Sequence, residues 1–346
     1  MESSPVVLCP APVHGSLRPR TSSRLRFYTQ TRPSGQPPRV PALDQTHSRA
    51  HPSLRALGKR SAQIASYQCD FPYRSDQSKI SSRFVLMETP EQEEKLTGGN
   101  TAESVVRLGA TVRKPVTKST PAVHSFLKHL RAAGYEGSPE AFGFDEQGRQ
   151  ILAFMPGPLW YGGPPRTQTD LRRVGILIKA LHDAAVSFEA PACAEWDGRS
   201  EPDGHDIICH NDLAPWNLVC GPDRWVFIDW DNAAPGTRLW DLAWAAISFP
   251  PFEPEGDLCA AASATQAILD GYGLETSLYG ALVGLMVKRA REEYELIVQG
   301  AKANRQPWAR LYIEGHHQYW GPVSDYIDRH ASALNRMLIS LNSLNA

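Results

Sequence analysis

Between residues 207 and 231, three short apolar runs alternate with polar residues, and this spacing constrains the chain more than any other feature. Ile207-Ile208-Cys209 leads into His210. Leu218-Val219-Cys220 precedes the turn Gly221-Pro222-Asp223, and Trp225-Val226-Phe227-Ile228 ends on Asp229. Apolar runs this short, bounded by turn residues, read as buried strands. Strand, loop, strand, turn, strand, with polar groups at the strand ends, is how a rigid scaffold presents a site. The loop after the first run is His210-Asn211-Asp212-Leu213-Ala214-Pro215-Trp216-Asn217, and eleven residues separate Asn217 from Asp229.

Asp212, Asn217 and Asp229 are the oxygen-bearing groups that phosphoryl transfer demands. A hydroxyl acceptor needs a carboxylate to orient it and take its proton, and a triphosphate needs Mg²⁺ held by hard oxygen ligands. Asp212 can serve as the base, Asn217 can offer a carboxamide oxygen, and Asp229 can bind the ion that bridges the phosphates. A turn explains any one of these residues but not the set. The expectation is an ATP-dependent phosphotransferase with ATP and Mg²⁺ as cofactors.

Upstream, residues 88–155 predict a small antiparallel sheet with one helix. After an acidic lead-in from Glu88 to Glu94, residues 96–109 read as strand, Gly98-Gly99 turn, strand, and Ala110 to Pro115 as a third strand ended by the proline. Strand alternation puts Val112 and Lys114 on one face, where a small apolar residue would cover an adenine while the lysine reaches phosphates. Arg113, beside it, leaves that register open. Val123, Phe126, Leu127 and Leu130 recur at helical spacing, and Gly134 fits the helix stop. Residues 141–144 and 151–155 predict a hairpin, with Pro156-Gly157 a hinge. Residues 156–346 predict a mostly helical lobe, with helices at 171–188 and at about 239–248, 258–271, 276–299 and 308–342. The fold class expected is therefore α+β, with two lobes.

The motif residues resemble the aminoglycoside phosphotransferase family, which has a protein-kinase-like fold. The match is carried by His210 to Asn217, by Phe227-Ile228-Asp229-Trp230-Asp231, by Pro235-Gly236 and by Asp241-Leu242-Ala243. Leu181-His182 resembles the family's central helix and Met155-Pro156-Gly157 its hinge, so the resemblance spans about 96–300. It implies Asp212 as catalytic base and Asn217 and Asp229 as Mg²⁺ ligands. It further implies Lys114 on the nucleotide phosphates, Gly98 and Gly99 in the phosphate-covering turn, and backbone around Ala153 to Met155 against the adenine. His210 and Asp241 would brace the loop. Two departures stand out. The helix after the third strand offers His124 or Val123 where the family carries a glutamate, and Asn211 stands where protein kinases have arginine. The second departure favours a constitutive small-molecule kinase.

Charge divides the chain. Residues 1–87 hold 13 Lys and Arg against 4 Asp and Glu, net +9, whereas the rest hold 23 against 33, net −10. The first part is rich in Pro, Ser, Arg, Gln and Thr and lacks any helical or strand period, so it reads as a disordered basic extension without a catalytic role. A start at Met87, a transit peptide and a basic arm compete with that reading. No amphipathic helix supports the transit peptide, and no aromatic interleaving or recognised module supports nucleic-acid binding. No apolar run is long enough to cross a membrane. The six cysteines form no Cys-x-x-Cys pair, which suits a reducing cytoplasm.

The acidic second part favours a hydroxylated acceptor that is cationic, aminoglycoside-like or another amino/hydroxy compound. The oligomeric state is not legible. Two other classes compete: a catalytically weak nucleotide-binding module, motivated by the missing glutamate, and a metal-dependent phosphohydrolase using His182-Asp183, His205-Asp206 and His210.

Overall fold

The computed structural model describes residues 92–96, 105–161, 163 and 166–345, so Gly98, Gly99 and the basic extension lie outside the described residues. The first lobe is a five-stranded antiparallel sheet in the order β1-β2-β3-β5-β4. Its strands are β1 (Glu94–Lys95), β2 (Val106–Leu108), β3 (Thr111–Lys114), β4 (Ala141–Phe144) and β5 (Gln150–Ala153). The end of the expected acidic lead-in is thus a strand: Glu94 pairs with Arg107 and Lys95 with Val106. Helix α1 (Thr120–Ala132) joins β3 to β4. Its Phe126, Leu127 and Leu130 are almost wholly buried, each worth about 1.5–3 kcal/mol relative to exposure.

The second lobe is mainly helical. Helices α2 (Gln168–Ala185) and α4 (Leu258–Tyr272) pack against each other, and α5 (Tyr279–Lys302) packs on α3 (Arg238–Ser248), α6 (Trp308–Ile313) and α7 (His317–Asn345). Thr167 opens α2 with a capping box, its side chain accepting from the Asp170 N–H while the Asp170 carboxylate accepts from the Thr167 N–H. The single helix expected over 308–342 is two. Gly315 takes left-handed backbone (φ 88°), and the His316 N–H returns to the Leu311 carbonyl at 3.1 Å, which closes α6 before α7 begins.

Two small antiparallel ribbons carry the motif. β6 (Ile207–Cys209) pairs with β9 (Ala234–Gly236), and β7 (Leu218–Cys220) pairs with β8 (Trp225–Phe227). Strand β9 went unrecognised in the sequence because a proline occupies its centre. Pro235 is tolerated because a two-stranded ribbon leaves one edge free of ladder bonds.

All described residues lie in one compact unit. The sheet and the helical lobe meet along the chain at the linker after β5. Gly157 there has φ 140°, and a Cβ on it would lie 2.8 Å from the Gly221 Cα. The linker thus passes against the β7–β8 turn where only glycine fits. A second junction is aromatic: Phe126 of α1 meets the Trp230 ring edge-on, centroids 5.9 Å apart. The architecture is that of a bilobal, protein-kinase-like α+β fold, as expected.

The cysteines follow local packing. Cys209 and Cys220 are buried, Cys259 is half-buried and Cys193 is exposed, and all four are free thiols.

Candidate active site

The loop after β6 is held from beneath by one carboxylate. Asp241 is completely buried in the first turn of α3, where the helix dipole favours negative charge. Thr237 sets that turn by capping α3, accepting from the Trp240 N–H at 3.1 Å. The Asp241 Oδ2 accepts from the His210 backbone N–H and Oδ1 from the Asn211 N–H, both at 2.9 Å. On the far side His182 Nε2 lies 3.3 Å from Asp241, and its Nδ1 is 2.9 Å from the Tyr272 hydroxyl. Burial opposes the Asp241 charge, but the His182 hydrogen bond, its nearby charge and the His210 N–H hold the carboxyl below its ordinary range.

His210 is equally buried and ties the loop to the strand that follows. Its Nδ1 accepts from the Asp212 N–H at 3.2 Å, so its Nε2 carries the proton donated to the Ile228 carbonyl, also 3.2 Å. Burial keeps its pKa below the usual imidazole value. The Trp230 ring packs on it with centroids 4.5 Å apart.

The backbone is strained in two places, one in the loop and one just past β8. Asn211 has φ 65° and Asp229 has φ 63°, left-handed backbone that Asn and Asp tolerate better than other non-glycine residues. Such conformations persist where surrounding bonds over-determine them. Asn211 has that support: its Nδ2 donates to the Asn232 carbonyl at 3.0 Å, and its Oδ1 accepts from the Trp240 indole at 3.1 Å.

Asp212 is half-buried, and its Oδ1 accepts from the Trp244 indole at 3.0 Å. Asn217 spends its amide on the Asp212 carbonyl at 3.0 Å, which leaves its Oδ1 available as a ligand. Both groups lie on the short connection from β6 to β7, and Asp229 lies just past β8.

Lys114 crosses to these groups from the other lobe. Its ammonium is 2.5 Å from Asp229 and 2.7 Å from Asp231, with the lysine side chain only 12% exposed. Burial alone would lower the lysine's pKa, but the two carboxylates raise it on balance, and Asp229 is held below its ordinary value despite its own burial. The register question is settled by the opposite face. Arg113 points away from the site, 3.5 Å from Asp145 and donating to the Thr111 hydroxyl.

Helix α1 does not reach the lysine with an acid. His124 is buried and stacks on Phe144, with its Nε2 3.3 Å from the Gln150 carboxamide oxygen. Burial lowers its pKa to about 4, so it is neutral. The acidic partners of Lys114 come instead from the far side of the cleft.

Met155 follows β5. The N–H groups of Ala153 and Phe154 are taken by the carbonyls of Glu140 and Ala110. Of the three backbone amides in the expected adenine segment, those two are already engaged.

An open cavity flanks Asp212, lined by Arg199, Ser200, Asn211, Asn232, Trp244, Arg289 and Glu293. Arg289 lies under the Trp240 and Trp244 rings and donates to the Asn211 carbonyl at 2.8 Å. Burial pushes the Glu293 carboxyl up to about 7 against the pull of Arg199.

Sequence reasoning did not single out Arg199, Trp244, Arg289 or Glu293, and it gave Asp231 no role of its own. A signal existed for Arg289: it interrupts the apolar stripe of Leu282, Val283, Met286 and Ala290, and Glu293 lies one turn beyond.

The His-Asp pairs do not form a metal centre. His182 is committed to Asp241, and Asp183 pairs with Lys179 and Arg238 at the surface. Among the described residues no group of three or more His, Cys, Asp or Glu side chains could hold a metal ion.

A two-lobed fold with this braced loop and a cross-lobe lysine defines a kinase-like phosphotransferase. Comparisons with known sequences agree. The model of the phosphotransferase enzyme family matches residues 189–275. The trifolitoxin immunity protein of Rhizobium leguminosarum bv. trifolii is 32% identical over 206 residues, covering 56% of this chain and 78% of that protein. This chain belongs to the phosphotransferase enzyme family. Among solved structures, a choline/ethanolamine kinase family protein from Mesorhizobium loti is 14% identical with TM-score 0.49, covering 71% of this chain and 93% of that one. A microcompartment-associated aminopropanol kinase is 16% identical with TM-score 0.49, covering 71% and 94%.

Proposed function

We propose that this protein is an ATP-dependent kinase that transfers a γ-phosphate to a hydroxyl of a small molecule. The observation that carries the reading is the meeting of Lys114, from the sheet lobe, with Asp229 and Asp231, beside the loop that holds Asp212. Two carboxylates sharing a buried ammonium are arranged to receive positive charge. In the working enzyme Lys114 would turn to the nucleotide phosphates, and Met155 would offer backbone to the adenine.

The donor set fits Mg²⁺. Asp229 and Asn217 present hard oxygens, and Mg²⁺ characteristically takes only one or two protein ligands and completes its shell with phosphates and water. Asn217 and Asp229 would hold the ion, which supplies charge neutralisation on the triphosphate. Asp212 orients the acceptor hydroxyl and accepts its proton, with one oxygen pinned by Trp244. Asp241 and His210 keep that carboxylate in place by fixing the loop backbone.

For the acceptor, net charge and the cavity beside Asp212 favour a small hydroxylated compound, with amines included. One relative carries the name of a toxin immunity protein, so a toxin hydroxyl is one acceptor to include. The test is a coupled ADP-release screen over hydroxylated amines, amino acids and antibiotics, with Asp212→Asn as control. Acceptor-dependent turnover lost in the variant supports the reading, and equal turnover in both proteins would end it.

A second reading, nucleotide binding without turnover, is favoured by the neutral His124 on α1. Single-turnover transfer from γ-labelled ATP separates the two.

A further inference from the structure

The segment between α2 and β6 reaches the cavity beside Asp212 with one cation, Arg199, that has no hydrogen-bond or ion-pair partner among the described residues. Residues 201–203 are tied down: the Lys288 ammonium donates to the Glu201 carbonyl at 3.0 Å, and the Thr237 hydroxyl donates to Asp203 at 2.7 Å. The backbone next to Arg199 is therefore anchored on both α3 and α5.

The Arg199 side chain is not. Among the described residues its guanidinium makes no hydrogen bond or ion pair. Its only aromatic contact there is distant, 5.8 Å from the Trp308 centroid. It nonetheless lines the cavity with Asp212. The other guanidinium of that cavity, Arg289, is buried and committed to the Asn211 carbonyl.

Its position along the cleft is also informative. Arg199, Asp212 and Glu293 line one cavity. Arg199 therefore stands in the cavity where Asp212 would receive the acceptor hydroxyl and where the γ-phosphoryl group would arrive.

We propose that Arg199 contacts the γ-phosphoryl oxygens and stabilises the group as it passes from ATP to the acceptor. The inference rests on the phosphotransferase reading above. In that step the acceptor oxygen bonds to the γ-phosphorus as the bond to the β,γ-bridging oxygen breaks. The bonding electron pair leaves on ADP, and the hydroxyl proton passes to Asp212. Charge spreads over the three equatorial oxygens of the moving phosphoryl group. A planar guanidinium can meet two of them at once, which a lysine cannot.

The experiment is calorimetric binding of Mg·AMP-PNP and Mg·ADP to the full chain, comparing wild type with Arg199→Ala and Arg199→Lys. A contact made to the third phosphate predicts that Arg199→Ala weakens AMP-PNP binding by about tenfold or more, while ADP affinity stays within about twofold. Arg199→Lys should lie between, since it restores charge but not the fork. Unchanged AMP-PNP affinity, or equal losses for both nucleotides, overturns the role. Wild-type protein that binds neither nucleotide removes the phosphotransferase reading itself, and the inference with it. Urea midpoints of the variants matching wild type exclude a folding defect as the cause.

Discussion

The two halves of the candidate site are built by opposite means. On the helical side, Asp212 is fixed by a dense, buried network in which His210 and Asn211 of the loop meet Trp240, Asp241 and Trp244 of α3. On the sheet side, Lys114 enters on one flexible side chain and is positioned by two charges from the opposite lobe. The first half is held by bonds within the protein itself. On the proposed function, the second is a charge that would exchange carboxylates for phosphates. On that reading, the difference teaches that the helical lobe would set the chemistry and the sheet lobe the occupancy.

Breaking the network should therefore cost most. Asp241→Ala leaves two loop N–H groups and His182 without their buried acceptor, so we expect a loss of about 3–5 kcal/mol in urea unfolding. Asp212→Asn keeps the hydrogen bond from Trp244 and should unfold like wild type while turnover falls by about 10²–10⁴-fold. On the sheet side, Lys114→Met should leave the loop intact. It should weaken Mg·nucleotide binding by about tenfold or more, read by calorimetry. If Lys114→Met instead abolished folding, the contrast between the halves would fail.

The smallest expected effect concerns Glu293, which faces Arg199, Asp212 and Arg289 across the cavity. Burial raises its carboxyl to about 7, above the ordinary 4.5. The folded chain thus binds the proton more tightly than the unfolded chain. Stability contributed by the protonated form is gained as pH falls from about 7 towards about 4.5 and is lost as pH rises through about 7. Urea midpoints near pH 5 and near pH 8 should show that wild type loses more stability on going to high pH than Glu293→Gln does.

The same contrast explains what the sequence revealed. The braced loop was legible because its residues are close in the chain and their types are dictated by local strands and by chemistry. Asp212, Asn217 and Asp229 could be picked out together for that reason. The Lys114 environment was not legible, because its partners lie 115 positions away and a missing glutamate on α1 said nothing about Asp231. Strand alternation did place Val112 and Lys114 on one face, and the structure puts Arg113 on the other. Most helices were readable from apolar periodicity. The break at Gly315 and the strand at Pro235 were not, since both depend on backbone conformation that a hydrophobic pattern does not encode. Arg199 carried no sequence signal, because its cavity is assembled from the α2–β6 segment, the loop after β6 and α5.

The central claim, that Asp212, Asn217, Asp229 and Lys114 surround a metal-bound triphosphate, is tested most directly by a cocrystal with AMP-PNP and Mn²⁺. The account predicts an anomalous peak in contact with Asp229 and the Asn217 carboxamide oxygen, with the Lys114 ammonium moved onto the phosphates. Nucleotide bound elsewhere, or Lys114 still paired with both carboxylates and no metal beside them, would contradict it.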